Sequence, residues 1–168
     1  MSQRGLVEEL ERANVAYART HCEIPTARPA RRLTVVTCMD ARIDVLGVLG
    51  LDLGDAQVLR NAGARVTDDT IRSLTLSTHM LGVDTVVVLQ HSKCALLGAT
   101  DAELRQATGV PLDFLPIADH RTSLTADIER LASEPSLQSV ALFAGMVFDV
   151  ETGRIDELVR SERAAANP

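Results

Sequence analysis

The sequence places three metal-binding side chains at the ends of two apolar runs. Cys38 closes LTVVTC, His91 closes DTVVVLQH, and Cys94 ends the motif HSKC that begins at His91. Two thiolates and one imidazole form a recognised zinc set, and three protein ligands leave a fourth position for water or another exchangeable ligand. Zinc held in this way brings the pKa of its water near neutrality and generates hydroxide. Each residue also has a plainer role when taken singly. A cysteine at a strand end is commonly a small buried hydrophobe, and a histidine after a strand is commonly a core or surface residue. The combination of His91 and Cys94 in one short motif, with Cys38 at the end of another run, points to a metal. An iron–sulfur cluster would need four thiolates, and the remaining cysteine, Cys22, lies before a proline-containing linker.

Asp40 and Arg42 follow Cys38 at alternating positions in CMDAR, a spacing that brings both out on one side of an extended chain. A carboxylate beside a guanidinium stays ionised, because the opposite charge favours the charged form. Such an aspartate can accept a hydrogen bond from metal-bound water or take the fourth position on the metal itself. The bland alternative is a structural ion pair that closes the strand. Walls of Val, Leu and Ala suit a small, weakly polar electrophile rather than a sugar or nucleotide. RNAGARVTDD (60–69) has too few glycines for a phosphate loop and no Lys-Thr pair after it. It sets Asn61, Ala62 and Gly63 at the crevice edge, with Gly63 suited to a tight turn.

These side chains meet only if their runs are neighbouring parallel strands. LTVVTC (33–38), AQVLR (56–60) and DTVVVLQH (84–91) are short, apolar and β-branched, as strands covered on both faces are. Between the second and third, TDDTIRSLTLSTHMLG predicts a helix. Thr67 or Asp68 caps it, Ile71, Leu74, Thr78 and Leu81 recur at helical spacing, and Gly82 stops it. The result is a strand–helix–strand crossover long enough for a parallel pair, and ligands gather beyond the carboxyl ends of such strands. Further helices are expected at about 6–20, within 101–108 and within 122–132. A core strand is expected at 140–150, then a turn at 151–153 and a short antiparallel or helical piece. EIPTARPARR, broken by Pro25 and Pro29, is a linker. The expectation is one α/β domain over 1–168. It comprises an N-terminal helix and linker (1–32), a three-layer core with a mostly parallel central sheet flanked by helices (33–160), and a frayed tail (161–168).

Composition narrows the function further. Apolar residues make up 46% of the chain, which fits a folded protein, and the net charge of -6 offers no broad footprint for nucleic acid. The local cluster ARPARR reads as a solvated loop. With no Trp and Tyr17 as the sole tyrosine, stacking on bases is poorly supported. No run approaches the ~20 apolar residues of a membrane span. The opening MSQRGLVEEL lacks an apolar signal core and reads as a charged amphipathic helix. An odd count of three cysteines points to free thiols or ligands rather than a disulfide framework. A cytoplasmic protein with neither nucleic acid nor membrane as partner is the expectation.

In order along the chain, CMDARID (38–44), RNAG (60–63), VTDDTIRSL (66–74) and HSKC (91–94) resemble the β-class carbonic anhydrases, in particular their short bacterial branch. The segment GMVFDVETGRI (145–155) resembles that family's last core strand and turn. The resemblance implies that Cys38, His91 and Cys94 bind Zn2+. It implies that Asp40, paired with Arg42, orients zinc-bound hydroxide for attack on carbon dioxide, with release of bicarbonate. In some members of the family the equivalent aspartate instead closes onto zinc. The resemblance also implies an intimate homodimer, in some cases a dimer of dimers, with the N-terminal helix reaching across the partner. Two departures stand out. Ala95 follows the last ligand where the family usually has glycine, and a positive φ there would cost roughly 1–2 kcal/mol. Lys93 stands where small, neutral or acidic residues are common; it either adds positive potential near the metal or faces solvent. His79 and His120 are candidate proton shuttles only because imidazole titrates near neutral pH. Two other functions use the same site. One is hydrolysis of carbonyl sulfide or carbon disulfide, which some relatives of this branch perform with the same ligands. The other is a non-catalytic, zinc-stabilised interaction protein. The presence of Asp40 and Arg42 argues against the latter, since structural zinc is satisfied by four protein ligands and no dyad.

Overall fold

A computed structural model describes residues 3–163. Its centre is a five-stranded sheet made of β1 (Leu33–Cys38), β2 (Ala56–Asn61), β3 (Thr85–His91), β4 (Leu142–Phe148) and β5 (Ile155–Glu162), in the order β2-β1-β3-β4-β5. The first four strands run parallel, and β5 runs antiparallel to β4. Unbroken apolar runs form β1 and β3 because both faces of these central strands are covered. Val35, Val36, Val86, Val88 and Leu89 are all fully buried, and burying each such side chain contributes about 1.5–3 kcal/mol.

Alternation along the strands divides the core into two layers. On one face Val36, Val86, Val88 and Phe143 pack beneath Leu74 of α3 (Asp68–Leu81) and Leu124, Ile128 and Leu131 of α5 (His120–Ser133). On the other face Val35, Val87, Leu89 and Ala144 pack with Val45 of α2 (Val45–Leu49), Leu96 and Ile117, with Leu104 of α4 (Asp101–Thr108) at the margin. The expected three-layer α/β arrangement with a mostly parallel sheet is the one found. Of the two caps the sequence offers for helix α3, Thr67 and Asp68, the structure uses Thr67, whose side chain accepts from the Thr70 N–H, and Gly82 ends the helix in the left-handed conformation. The short α2 escaped the periodicity because five residues carry too little of it; the Asp44 side chain caps it from the Gly47 N–H.

Of the two forms expected after the turn, antiparallel or helical, the chain takes the antiparallel strand, because the Asp149 carboxylate accepts from the Glu151 and Thr152 N–H groups and turns the chain back along β4. That strand runs through Glu162, into the stretch expected to fray. Arg163 is anchored as well: its N–H donates to the Ala141 carbonyl at 2.9 Å, and its guanidinium lies 5.3 Å from the Phe143 ring centroid. The remainder of the expected tail, 164–168, lies outside the described residues. The N-terminal helix α1 spans Gln3–Ala18 and leaves Leu6, Val7, Leu10, Val15 and Tyr17 exposed. Among the described residues no helix is long and apolar enough to cross a membrane.

Candidate metal centre

Parallel pairing of β1 with β3 brings their carboxyl ends side by side. Cys38 ends β1, His91 ends β3, and Cys94 comes back over them from the turn that follows. The Cys38 thiol, the His91 imidazole and the Cys94 thiol are all buried, with their donor atoms within 4.8 Å of one another. His91 Nδ1 donates to the Ser92 carbonyl at 2.9 Å, which leaves the lone pair on Nε2. That Nε2 is buried and has no hydrogen-bond partner among the described residues. An unpartnered buried acceptor is costly, and here it faces two thiols. This soft donor set fits zinc, which takes sulfur and imidazole nitrogen together. Burial pushes the His91 imidazole down, so it is neutral and ready to ligate, while burial and the neighbouring Cys38 push the Cys94 thiol up.

The loop after β1 carries the carboxylate–guanidinium pair. Arg42 grips Asp40 as a fork, with Nε donating to Oδ1 at 2.9 Å and Nη2 to Oδ2 at 2.7 Å; the Arg42 N–H adds a bond to Oδ1 at 2.9 Å. These bonds hold the Asp40 carboxyl far below the usual carboxylate range. Asp40 Oδ2 lies 3.8 Å from His91 Nε2, so the carboxylate borders the metal centre without leaving its arginine. Arg42 Nη2 also donates to the Lys93 carbonyl at 3.1 Å, tying the dyad to the turn between His91 and Cys94.

A cavity of about 200 Å3 opens beside these groups, walled by Met39, Ala62, Gly63, Ala95 and Leu96 along with Cys38, Asp40 and Cys94. Backbone strain in the ligand turn falls on Lys93, at φ 55°, and Ala95 is free of it. The alanine after the last ligand therefore carries none of the cost expected for it. The Lys93 side chain turns away to pair with Glu151 at 2.6 Å, with both residues mostly exposed. Neither shuttle candidate lines the cavity. His79 sits in the last turn of α3 against the Ser136 carbonyl. His120 bonds Gln90, which bonds Ser123 of α5, on the opposite side of β3 from His91.

Two contributions could not be read from residue types. The Gly63 N–H donates to Cys38 Sγ at 3.4 Å, and the Ser92 carbonyl selects the His91 tautomer. Ser92 is itself held by the β4–β5 hairpin, its N–H donating to the Phe148 carbonyl and its hydroxyl accepting from the Val150 N–H. Main-chain donors and acceptors exist at every position, so only the RNAG turn and the HSKC motif hinted at where they act.

The fold and site together define an α/β metalloenzyme with a two-cysteine, one-histidine zinc centre at the carboxyl edge of a parallel sheet. Residues 33–121 match the carbonic anhydrase family profile. The chain is 37% identical over 136 residues to β-carbonic anhydrase 1 of Mycobacterium tuberculosis, an alignment covering 77% of this chain and 83% of that one. It is also 31% identical over 168 residues to a carbon disulfide hydrolase of Acidithiobacillus thiooxidans, covering 80% of this chain and 84% of the relative. The crystal structure of carbonic anhydrase from Streptococcus mutans superposes with a TM-score of 0.84 at 40% identity, covering 95% of this chain and 99% of that one. The chain belongs to the carbonic anhydrase family, in its β class.

Proposed function

We propose that this chain catalyses the reversible hydration of carbon dioxide to bicarbonate and a proton, with Cys38, His91 and Cys94 holding zinc. The observation that carries this reading is the buried cluster of two thiols and an unpartnered imidazole nitrogen beside an apolar cavity of about 200 Å3. Zinc in that donor set supplies the Lewis acidity that makes water a nucleophile at neutral pH. Asp40 acts as an acceptor-only group: ionised, it takes a hydrogen bond from the attacking O–H on Oδ2 and so turns the oxygen lone pair toward the substrate carbon. Arg42 keeps that carboxylate charged, and its two-pronged grip would hold the carboxylate beside the metal rather than on it. The walls at Ala62, Ala95 and Leu96 receive an uncharged linear molecule and offer the bicarbonate product no cation, which favours its release. The new C–O bond forms at the carbon of carbon dioxide, one C=O electron pair moves to oxygen, and the proton leaves to solvent.

A homodimer, and from it a dimer of dimers, is supported by the apolar residues that α1 leaves exposed, together with Val58 of the edge strand β2 and Leu76 and Met80 of α3. Burying such residues against a second copy removes them from water. A cytoplasmic location is supported by three cysteines that are thiols or ligands, a state that a reducing compartment maintains.

The test is a stopped-flow assay of the zinc-loaded protein for carbon dioxide hydration, run beside carbonyl sulfide hydrolysis, with Asp40→Ala as the variant. Carbon dioxide hydration well above the buffer rate is expected, with a loss of roughly 10–100-fold in the variant. Zinc-loaded protein that matches the buffer rate would refute the reading. Faster turnover of carbonyl sulfide would reassign the site to the chemistry of the carbon disulfide hydrolases that the chain resembles.

A further inference from the structure

Arg60 opens the RNAG motif, yet none of the chemistry above uses it. It sits near the end of β2, paired with Thr37 of β1, and its guanidinium crosses to the loop that leaves β1. Nε donates to the Cys38 carbonyl at 3.0 Å, Nη2 to the Asp40 carbonyl at 2.7 Å and Nη1 to the Ile43 carbonyl at 3.3 Å. We propose that Arg60 is a positioning residue that sets the first metal ligand, Cys38, against the Asp40 carboxylate by gathering the Cys38, Asp40 and Ile43 carbonyls onto one guanidinium. The inference rests on the metal-centre reading given above.

Past Cys38 the chain leaves the sheet and stays irregular until α2 begins at Val45. The Met39 N–H bonds the Asn61 carbonyl and the Ile43 N–H bonds the Asp40 carbonyl, at 2.9 and 3.2 Å. The carbonyls of Cys38, Asp40 and Ile43 converge on one point, where their dipoles would repel one another without a cation between them. A planar fork with several N–H groups in fixed directions can satisfy all three; a lysine ammonium is a single point charge and cannot span them. Cys38 and Asp40 each project from a residue whose own carbonyl is pinned, so the backbone rotation that aims each side chain is fixed. The two arginines divide the work on Asp40: Arg42 holds the carboxylate and Arg60 holds the main chain. His91 and Cys94 lie beyond these bonds, so loss of Arg60 moves one metal ligand and the carboxylate while the other two ligands stay in place.

The experiment compares wild type, Arg60→Lys and Arg60→Gly as full chains. Zinc affinity is measured by competition with a chromogenic chelator, and the thiolate-to-metal absorption of the cobalt-loaded proteins is recorded. Both variants should lose zinc affinity roughly 10–100-fold, the usual effect of removing an outer-shell partner, with a shifted cobalt band. Millimolar guanidinium chloride should restore most of the affinity of Arg60→Gly, whereas equal sodium chloride should not; neither salt should rescue Arg60→Lys. Retention of wild-type affinity within twofold by Arg60→Lys would overturn the proposal, because charge alone would then suffice. Failure of guanidinium to outperform sodium chloride on Arg60→Gly would overturn it as well. Wild-type protein that holds no zinc would bring down the metal-centre reading, and this inference with it.

Discussion

Replacing Gly63 with alanine probes the floor of the cavity, and the structure allows its cost to be worked out. Gly63 has φ +73°, and an added Cβ would stand 2.7 Å from Leu96 Cδ1 and 3.4 Å from Ile117 Cδ1. Holding an L-residue in the left-handed region costs roughly 1–2 kcal/mol. Relieving the 2.7 Å contact requires Leu96 to move, and Leu96 is only 7% exposed within a packed cluster. Overpacking of this kind costs about 1–3 kcal/mol, for a total of about 2–5 kcal/mol. Gly50 provides the control, since it has φ +62° and an added Cβ there meets nothing within 4 Å. Gly50→Ala should therefore show the backbone cost alone. Equilibrium urea unfolding of the metal-free chain measures both, and Gly63→Ala should be worse by about 1–3 kcal/mol. Adding Leu96→Ala to Gly63→Ala makes room for the methyl, so the double-mutant cycle should show a coupling of about 0.5–3 kcal/mol. Equal costs at Gly63 and Gly50, or no coupling to Leu96, would refute the packing argument. The Gly63 N–H moves with the turn that carries it, so chelator competition should also show weaker zinc retention through Cys38.

Three further outcomes are expected. Asp127 is buried against Arg65, whose Nη1 also holds the Leu115 carbonyl at 2.6 Å; Asp127→Ala strands that cation and should cost about 3–5 kcal/mol in urea unfolding, and a loss below ~1 kcal/mol would show the clamp to be idle. Asp40 is held below its unfolded pKa by Arg42, so it stabilises the fold above about pH 4 and that share disappears as acid protonates it. Arg42→Gln should therefore destabilise the metal-free chain most near neutrality and progressively less below about pH 4, and a gap independent of pH from 3 to 7 would contradict the pairing. Burial raises the Cys94 thiol and lowers the His91 imidazole, so zinc must displace a thiol proton but no imidazole proton near neutrality. Apparent zinc affinity should rise from pH 6 to pH 8.5 in chelator competition, with proton release on binding, and a flat profile would count against a thiolate ligand.

The metal centre was legible because it depends on features that sequence reports directly. Continuous β-branched runs identify LTVVTC and DTVVVLQH as central strands, and parallel neighbours necessarily present their carboxyl ends, with Cys38 and His91, at one edge. Cys94 follows so closely that a single turn returns it to the same place. Local chemistry likewise determined α3, from the Thr67 cap to the Gly82 stop, since both signals act within a few residues. The tertiary structure decided what depends on main-chain direction across distant segments. Ala95 looked strained by its position, but the turn places its left-handed residue at Lys93, where the carbonyl meets Arg42. His79 and His120 looked equivalent as titrating groups, but packing commits one to Ser136 and the other to Gln90 on the far side of β3. The Gly63 donor to Cys38, the Ser92 acceptor for His91 and the three carbonyls that Arg60 gathers share one property: each uses a peptide group, which every residue carries. Side-chain identity therefore settled which atoms could do the chemistry, and only the folded path of the backbone settled which groups hold them in position.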